Sequence, residues 1–291
     1  MPAVTKLRPE ALRSLNVDLA KEHGAIVQYL LHAVQMRDSV LRWSVTEAAR
    51  EEMWHMEWLT EAIRERGGTP TLSRQNDIFT SEGLVLSLQA DVDAETGALE
   101  HYEETLATIG EEDPELTALI ERIMDDERYH RTSFTRMADM VGAEGEEAYA
   151  AKAEISPTDA ASAGPMIPLE YEGLLQYLQA KYGSPDKEEA ETYFELAINE
   201  MRHFNWVASC TGGLGVPQVP PAPGDKVVRV EGSEAAHRRS EEYERDAAAT
   251  ISRVRDAVAG ETIATEMRRI DYQHRYHRFV LDRMEEAGGG A

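Results

Sequence analysis

The stretch "LNVDLAKEHGAIVQYLLHA", residues 15–33, places a carboxylate on the apolar face of a predicted helix. Leu15, Leu19, Glu22, Ile26 and Tyr29 follow one another at steps of three or four residues, the spacing of one helix face. Glu22 therefore points into the core that the leucines form. Because a buried carboxylate without a partner is costly, we expect Glu22 to meet a neutralising group.

Helical periodicity continues through most of the chain and predicts an all-α protein. Asp113 and Pro114 are typical of a helix start, and Gly183 of a helix end. The predicted helices span residues 8–38, 45–66, 83–109 and 114–141 in the first half, and 168–182, 185–211, 232–258 and 260–286 in the second.

Long connections separate the second and third helices of each half, at residues 67–83 and 212–232, and both begin with Gly-Gly. In a four-helix bundle, such a connection carries the chain from one end to the other. The sequence therefore predicts two tandem four-helix bundles, each with a long crossover. The expected domains are a first bundle at 1–145, a linker at 146–166 that is rich in Gly, Ser and Pro, and a second bundle at 167–291.

The second half repeats the first. "RIMDDERYHRTSFTRM" (122–137) matches "RIDYQHRYHRFVLDRM" (269–284) at an offset of 269 − 122 = 147. "EEMWHMEWL" (51–59) matches "NEMRHFNWV" (199–207) at an offset of 199 − 51 = 148. The second bundle is therefore a divergent copy of the first.

Two Glu-x-x-His pairs and two spaced Glu–Tyr pairs mark the first half. Residues three apart share a helix face, so each Glu-x-x-His pair can present a carboxylate and an imidazole to one point. Glutamate and tyrosine seven residues apart, two helix turns, both face the core. The pairs are Glu52–His55, Glu127–His130, Glu22–Tyr29 and Glu95–Tyr102.

These motifs, with "LNVDLAKEHGAIVQYLLHA" and "EEMWHMEWL", resemble the bacterioferritin and rubrerythrin branch of the ferritin-like superfamily over about 130 residues. The resemblance implies two iron or manganese ions in the first bundle, with Glu52 and Glu127 as bridging carboxylates. The implied metal ligands are Glu22, Glu52, His55, Glu95, Glu127 and His130. Four carboxylates balance two divalent ions, which would neutralise Glu22.

Several alternatives stay open at this point. Glu51 also precedes His55, by four residues, and competes with Glu52 as the ligand. Tyr29 and Tyr102 are candidates for hydrogen bonding to a ligand carboxylate. Met53 occupies the position of the haem methionine of bacterioferritins, but packing is the favoured role. His23, His32 and His101 lack partner spacing and are expected at the surface.

The second bundle departs from this pattern. His274 stands where the first bundle has Glu127, and the counterpart of Glu95 is ambiguous: an offset of 147 selects Glu242 and an offset of 148 selects Tyr243. The second bundle is therefore expected to hold one metal ion or none. Its candidate ligands are Glu170, Glu200, His203, Glu242, His274 and His277.

Composition limits the partners. The formal charge is −24, from 54 acidic and 30 basic residues, which disfavours nucleic acid and anionic membranes and favours cations. Cys210 is the single cysteine, so a disulfide framework and cysteine-held clusters are excluded. We find no membrane span or secretory signal, and expect a cytoplasmic protein; a homodimer is left open.

Three functions compete. The leading hypothesis is a di-iron or di-manganese carboxylate oxidoreductase that reacts with O2 or hydrogen peroxide, with an electron donor or a small organic molecule as co-substrate. The alternative is a ferroxidase or iron-storage protein with the same ligands. The third is a binding or scaffold protein without turnover.

Overall fold

The computed structural model describes residues 6–75, 83–110, 113–211, 214 and 232–288. The chain divides into two compact units, residues 1–151 and 152–291, and the division lies inside the segment predicted as a linker. The expected all-α class is confirmed within the described residues. None of their helices combines the length and hydropathy that crossing a bilayer requires.

The first unit contains four long helices, which we call the first bundle. They are α1 (Pro9–Ala33), α2 (Ser39–Glu65), α3 (Leu84–Ile109) and α4 (Pro114–Glu144). The core side of α1 follows the sequence pattern, since Leu15, Leu19 and Ile26 are buried. Burial of such apolar stripes supplies most of the stability of a helix bundle.

Helix boundaries agree with expectation except between α1 and α2. The sequence predicts helix over 8–38, but α1 ends at Ala33 and α2 already begins at Ser39. Asp38 causes the early start, because its side chain accepts hydrogen bonds from the backbone N–H groups of Val40 and Leu41 at 2.9 and 3.0 Å. The expected cap of α4 is confirmed: Asp113 accepts from Leu116 N at 3.0 Å.

Contacts along α1 define the bundle topology. Ser14 meets Thr105 at 2.7 Å and Gln28 meets Asp91 at 2.9 Å, so α1 and α3 are antiparallel. A short connection joins α1 to α2, and the chain just after α2 returns to Asn16, so these two helices are also antiparallel. It follows that α2 and α3 are parallel, as the predicted crossover requires. Residues 76–82 of that crossover lie outside the described residues.

Gly68 shows why the first crossover begins with glycine. A Cβ atom added to Gly68 would come within 2.7 Å of the side chains of Ile63 and Leu12. The chain leaves α2 against the start of α1 at a distance that only glycine tolerates.

Within the part of the second unit that the structure describes, there are one short and four long helices. They are α5 (Pro157–Ala163), α6 (Met166–Gly183), α7 (Lys187–Thr211), α8 (Ser233–Ala257) and α9 (Glu261–Gly288). We call α6–α9 the second bundle. Gly232 N donates to Gly183 O at 2.9 Å and the Tyr243 hydroxyl lies 3.4 Å from Leu169 O, so α6 and α8 are antiparallel. Most of the predicted crossover at 212–232 lies outside the described residues.

Helix α5 lies within the predicted linker. Its Asp159 accepts hydrogen bonds from Ala259 N and Gly260 N at 2.7 and 3.2 Å, directly before α9. Part of the predicted linker therefore belongs structurally to the second unit.

Candidate metal centre

The structure brings all six candidate ligands of the first bundle together. Each is at most 2% exposed. Their donor atoms form two groups in which all atoms lie within 4.8 Å of one another. One group is Glu22, Glu52, His55 and Glu127; the other is Glu52, Glu95, Glu127 and His130.

Glu52 and Glu127 belong to both groups and send one oxygen to each. His55 Nδ1 lies 2.8 Å from Glu52 Oε2 and 3.1 Å from Glu127 Oε1. His130 Nδ1 lies 3.0 Å from Glu52 Oε1 and 3.3 Å from Glu127 Oε2. A carboxylate in this position can join two metal ions, one through each oxygen.

Glu22 and Glu95 complete the two groups from opposite sides. Glu22 Oε2 is 3.4 Å from His55 Nδ1, and Glu95 Oε1 is 3.4 Å from His130 Nδ1. Each of these glutamates belongs to one group only, so each is placed to serve a single ion.

Tyrosines fix both of these outer glutamates. Tyr102 on α3 donates to Glu22 on α1 at 2.5 Å, and Tyr29 on α1 donates to Glu95 on α3 at 2.6 Å. Burial raises the pKa of both tyrosines, and the nearby carboxylates raise it further, so both remain hydrogen-bond donors. Both hydroxyls are therefore placed to orient these carboxylates, and each makes the kind of hydrogen bond for which the sequence named it a candidate.

Carboxylates also hold the outer nitrogens of both histidines. His55 Nε2 lies 3.3 Å from Asp126 Oδ2, and His130 Nε2 lies 2.5 Å from Glu51 Oε2. Such a partner fixes the tautomer of a histidine and leaves its inner nitrogen free to bind metal. Glu51, half exposed, thus contacts the outer face of His130, and Glu52 is the inward residue.

Two buried carboxylate oxygens without hydrogen-bond partners make the site suitable for a pair of cations. Oε1 of Glu52 and Oε1 of Glu127 are buried and have no hydrogen-bond partner among the described residues, although a histidine Nδ1 approaches each. An unsatisfied buried oxygen is costly, and two divalent ions would satisfy both while balancing four carboxylates.

The electrostatics of the protein alone are consistent with this requirement. Burial raises the pKa of Glu22 and of Glu95, and repulsion from Glu127 and Glu52 raises both further. Burial alone would lower the pKa of His55, but attraction to Glu127 and Glu52 raises it well above its ordinary value. Without cations, the site therefore retains protons that metal ions would replace.

A cavity of about 210 Å³ leads to these carboxylates between α1 and α3. Exposed Asp93 and Gln75 line its outer part, and Glu22 and Glu95 line its inner part. Between them, Ala25 and Ala94 leave the space that larger side chains would fill.

The second bundle forms a similar cluster, with one correction to the predicted ligands. The prediction that Glu242 is a ligand is wrong. Glu242 pairs with Arg239 at 2.7 Å, and its side chain is 41% exposed. Glu244 takes the inward position instead and accepts a hydrogen bond from Tyr177 at 2.6 Å, as Glu95 does from Tyr29. The two groups are Glu170, Glu200, His203 and His274, and Glu200, Glu244, His274 and His277.

Loop lengths explain the error. The offset from Glu95 to Glu244 is 244 − 95 = 149, whereas α6 and α7 follow 148 and α9 follows 147. The connections on either side of α8 therefore differ in length from those around α3. Because Glu244 is present, three carboxylates rather than two face the centre of the second bundle.

Three histidines expected at the surface are not surface residues. His32 is buried, and its Nδ1 lies 2.7 Å from Asp91 Oδ1. His23 is buried with Nδ1 3.4 Å from Ser73 O, and its burial lowers the pKa to about 4. His101 is partly buried and lies 2.5 Å from Asp18. Sequence spacing misses these pairs because the partners come from other segments.

The methionines at the haem position are buried as well. Met53 is 2% exposed, and Met201, its counterpart in the second half at an offset of 201 − 53 = 148, is 3% exposed. This burial is compatible with the packing role that the sequence favoured for Met53.

The fold and the paired ligand groups define a ferritin-like four-helix bundle, and comparisons with known proteins agree. A family model described as "Ferritin-like domain" matches residues 12–141. The bacterioferritin of Mycobacterium tuberculosis is 30% identical over 157 residues, which cover 51% of this chain and 96% of that protein. The chain belongs to the ferritin-like family.

Two further relatives widen the comparison. The bacterioferritin of Desulfovibrio desulfuricans is 28% identical over 160 residues, 54% of this chain and 89% of that protein. Its solved structure, described as showing a diiron site in different catalytic states, is 27% identical with a TM-score of 0.45, covering 47% of this chain and 83% of the other. A 3-demethoxyubiquinol 3-hydroxylase of Chromobacterium violaceum is 28% identical over 149 residues, 47% of this chain and 68% of that protein.

Proposed function

We propose that the first bundle binds two iron ions and oxidises Fe²⁺ with O2 or hydrogen peroxide. The observation that carries this proposal is the double position of Glu52 and Glu127, each with one oxygen in either ligand group. The bacterioferritin relatives favour this ferroxidase function over the other reactions that the sequence left open. Glutamate and histidine ligate both iron and manganese, so the ligands alone do not select the metal. The bacterioferritin relatives favour iron.

A bound iron pair supplies two electrons, one per ion, which is what reduction of O2 to hydrogen peroxide requires. The protein side chains supply position and charge. Glu22 and Glu95 are held by tyrosines, and His55 and His130 by outer carboxylates, so the donors are already oriented before metal binds. Because these side chains are oriented before metal binds, the free-energy cost of assembling the site is lower.

The cavity between α1 and α3 gives small molecules a path to this centre. Its carboxylates, in a chain of formal charge −24, attract Fe²⁺. Lys21, beside the inner carboxylates, donates to Gly97 O at 2.9 Å across the gap between the two helices. O2 and hydrogen peroxide are both far smaller than the cavity.

The proposal is tested by single-turnover oxidation. Metal-free protein receives two Fe²⁺ per chain without oxygen, then oxygenated buffer, and both Fe²⁺ loss and O2 uptake are followed. We expect two Fe²⁺ oxidised per O2 in the wild type and at least a hundredfold slower reaction in Glu127→Ala. Glu121→Ala, an exposed glutamate on the same helix, is the matched control and should react like wild type. Equal rates in all three proteins would refute the proposal.

Oxidation of a small organic molecule is a second candidate. The hydroxylase relative and the cavity beside the carboxylates favour it. A reaction that consumes O2 only when an organic reductant is added, with no oxidation of free Fe²⁺, would support this candidate instead.

Iron storage requires more than the paired site. A storage protein retains many more iron ions per chain than six ligands can hold, and it assembles into a large cage. Particle size and iron content after repeated Fe²⁺ additions separate storage from simple ferroxidation.

A further inference from the structure

The second bundle carries a metal position of a different kind, independent of the proposed function of the first. We propose that it binds one divalent transition-metal ion through Glu170, Glu200, His203 and His274, and that Tyr243 closes this position to small molecules. Zn²⁺ is the ion that the donor set suits best, since two imidazoles and two carboxylates in a tetrahedron are typical of zinc.

The four donor atoms already have suitable spacing. His203 Nδ1 lies 3.1 Å from Glu170 Oε2 and 3.6 Å from Glu200 Oε2. His274 Nε2 lies 3.3 Å from Glu170 Oε2 and 3.7 Å from Glu200 Oε2. A tetrahedron with bonds of about 2.0–2.1 Å has edges of about 3.3–3.4 Å, so one ion fits between these atoms with small shifts.

Glu170 has a specific need for a cation. It is fully buried, and its Oε1 has no hydrogen-bond partner among the described residues. In the first bundle, the equivalent Glu22 receives the hydroxyl of Tyr102, but the position 149 residues after Tyr102 is Ile251. In the described part of the chain, Glu170 therefore has only His203 and His274 beside its Oε2, and a cation bound at this oxygen would neutralise the buried carboxylate.

His274 explains why one ion is expected and not two. Glu127 has one carboxylate oxygen in each ligand group of the first bundle. At the equivalent position of the second bundle, the two ring nitrogens of His274 face in opposite directions. Its Nδ1 lies 3.0 Å from Glu244 Oε2 and its Nε2 faces Glu170 and Glu200. A neutral histidine with its hydrogen on Nδ1 donates to Glu244 and has only Nε2 left for a metal.

Glu244 is satisfied without a metal. It accepts the hydroxyl of Tyr177 at 2.6 Å, and Arg278 Nη1 lies 3.6 Å from its Oε2. Glu244 thus serves as the outer partner that orients His274. One divalent ion is then enough to balance the charge of this site, because the carboxylates of Glu170 and Glu200 together carry two negative charges.

The outer residues of the second bundle also carry less negative charge. Asp126 and Glu51, which hold the two histidines of the first bundle, are replaced at the equivalent positions by Gln273 and Asn199. His203 Nε2 lies 3.4 Å from Gln273 Oε1. A site with fewer carboxylates favours fewer cations.

Tyr243 fills the space that is a cavity in the first bundle. The first-bundle cavity passes between Ala25 and Ala94, and the equivalent positions are Gly173 and Tyr243. A Cβ atom on Gly173 would lie 2.1 Å from the Tyr243 hydroxyl, so the ring lies directly on this glycine. The hydroxyl donates to Glu200 Oε2 at 3.0 Å. An ion behind this ring is therefore expected to exchange slowly.

Elemental analysis of full-length protein loaded with Zn²⁺ and Fe²⁺ and then desalted tests the site. We expect three ions per chain in the wild type, one in Glu127→Ala, and two in His203→Ala. Tyr272→Ala, on an exposed side chain of α9, is the control and should keep three. Two ions in the wild type and none in Glu127→Ala would overturn this proposal and leave the ferroxidase proposal intact. Four ions in the wild type, or unchanged content in His203→Ala, would overturn it too.

A spectroscopic measurement avoids dependence on the folding of the His203 variant. Glu127→Ala protein loaded with one Co²⁺ should show the intense visible absorption of tetrahedral cobalt. The weak absorption of six-coordinate cobalt would contradict the assigned donors.

Release of Zn²⁺ from Glu127→Ala to a chelator tests the closure by Tyr243. An added Tyr243→Ala change should speed release at least tenfold, because it opens the space over Gly173, whereas Tyr243→Phe should not. Tyr276→Ala, on an exposed side chain of the same bundle, is the matched control and should leave the rate unchanged. Equal release rates in the Tyr243→Ala and control proteins would overturn the closure.

Discussion

Tyr102 on α3 donates a hydrogen bond of 2.5 Å to Glu22 on α1, and this bond joins two helices that pack against each other. Tyr29 on α1 makes the reciprocal bond to Glu95 on α3. Each of these glutamates therefore accepts a hydrogen bond from a neighbouring helix and not from its own. Because all four residues are buried, the two bonds fix the spacing of α1 and α3 as well as the direction of the carboxylates.

Removal of the Tyr102 hydroxyl should weaken metal binding without unfolding the bundle. We expect Tyr102→Phe to bind the first-bundle metal pair about 10- to 100-fold more weakly, because Glu22 loses the group that orients it. Titration of metal-free protein with Co²⁺ measures the affinity. Tyr149→Phe removes a similar tyrosine–carboxylate bond, to Glu144, far from the ligands, and should bind like wild type. An unchanged affinity in Tyr102→Phe would show that the hydroxyl has no positioning role.

Asp126 should matter for metal affinity although it is not a predicted ligand. Its carboxylate lies 3.3 Å from His55 Nε2, and His55 lowers the pKa of Asp126, which keeps it charged. We expect Asp126→Asn to lower affinity about 10- to 100-fold while two ions still bind at high metal concentration. Calorimetric titration separates affinity from stoichiometry.

Asp125 provides the control for this variant. It is the exposed neighbour of Asp126 on α4, so Asp125→Asn removes the same charge from nearly the same place. If both variants weakened binding equally, the effect would be one of net charge and not of contact with His55.

The pair formed by Arg66 and Asp113 should dominate the stability of one end of the first bundle. Arg66 Nε and Nη2 donate to the Asp113 carboxylate at 2.6 and 3.2 Å, and both residues are buried. Asp113→Ala leaves Arg66 without its partner and removes the cap of α4, so we expect a loss of roughly 3–5 kcal/mol. Urea unfolding of the first bundle measures it. Glu10→Ala, which breaks the exposed pair with Arg13, should cause no measurable change.

The same pair predicts a pH dependence. The hydrogen bond from Arg66 lowers the pKa of Asp113 in the folded protein. A lowered folded pKa gives stability that is present above the unfolded pKa of about 3.9 and is lost as the pH falls through the folded value. The difference in unfolding midpoint between wild type and Asp113→Ala should therefore be constant near neutral pH and shrink below about pH 4. A difference that persists at low pH would contradict this origin.

The sequence predicted the first-bundle cluster because its information is local. Glu52 and His55 share a helix face by their spacing alone, and so do Glu127 and His130. The structure then brings these four side chains together with Glu22 and Glu95. Helix periodicity is sufficient when every ligand lies on the apolar side of a long helix.

Features that depend on loop lengths or on which helix faces meet could not be predicted from the sequence pattern. Glu244 was missed because the connections before and after α8 change the offset, which no pattern within α8 reveals. Asp91 and His32 were not paired because their contact depends on which faces of α1 and α3 meet. The early start of α2 was missed because its cap, Asp38, was assigned as the last residue of the preceding helix.

In the proposed metal centre, six side chains from four helices hold two metal ions in the first bundle. An anomalous difference map, recorded at the iron absorption edge from crystals of iron-loaded protein, tests this most directly. We expect two peaks about 3.5–4 Å apart, one beside Glu22 and His55 and one beside Glu95 and His130, with Glu52 and Glu127 between them. A single peak, or no peak inside the first bundle, would contradict it.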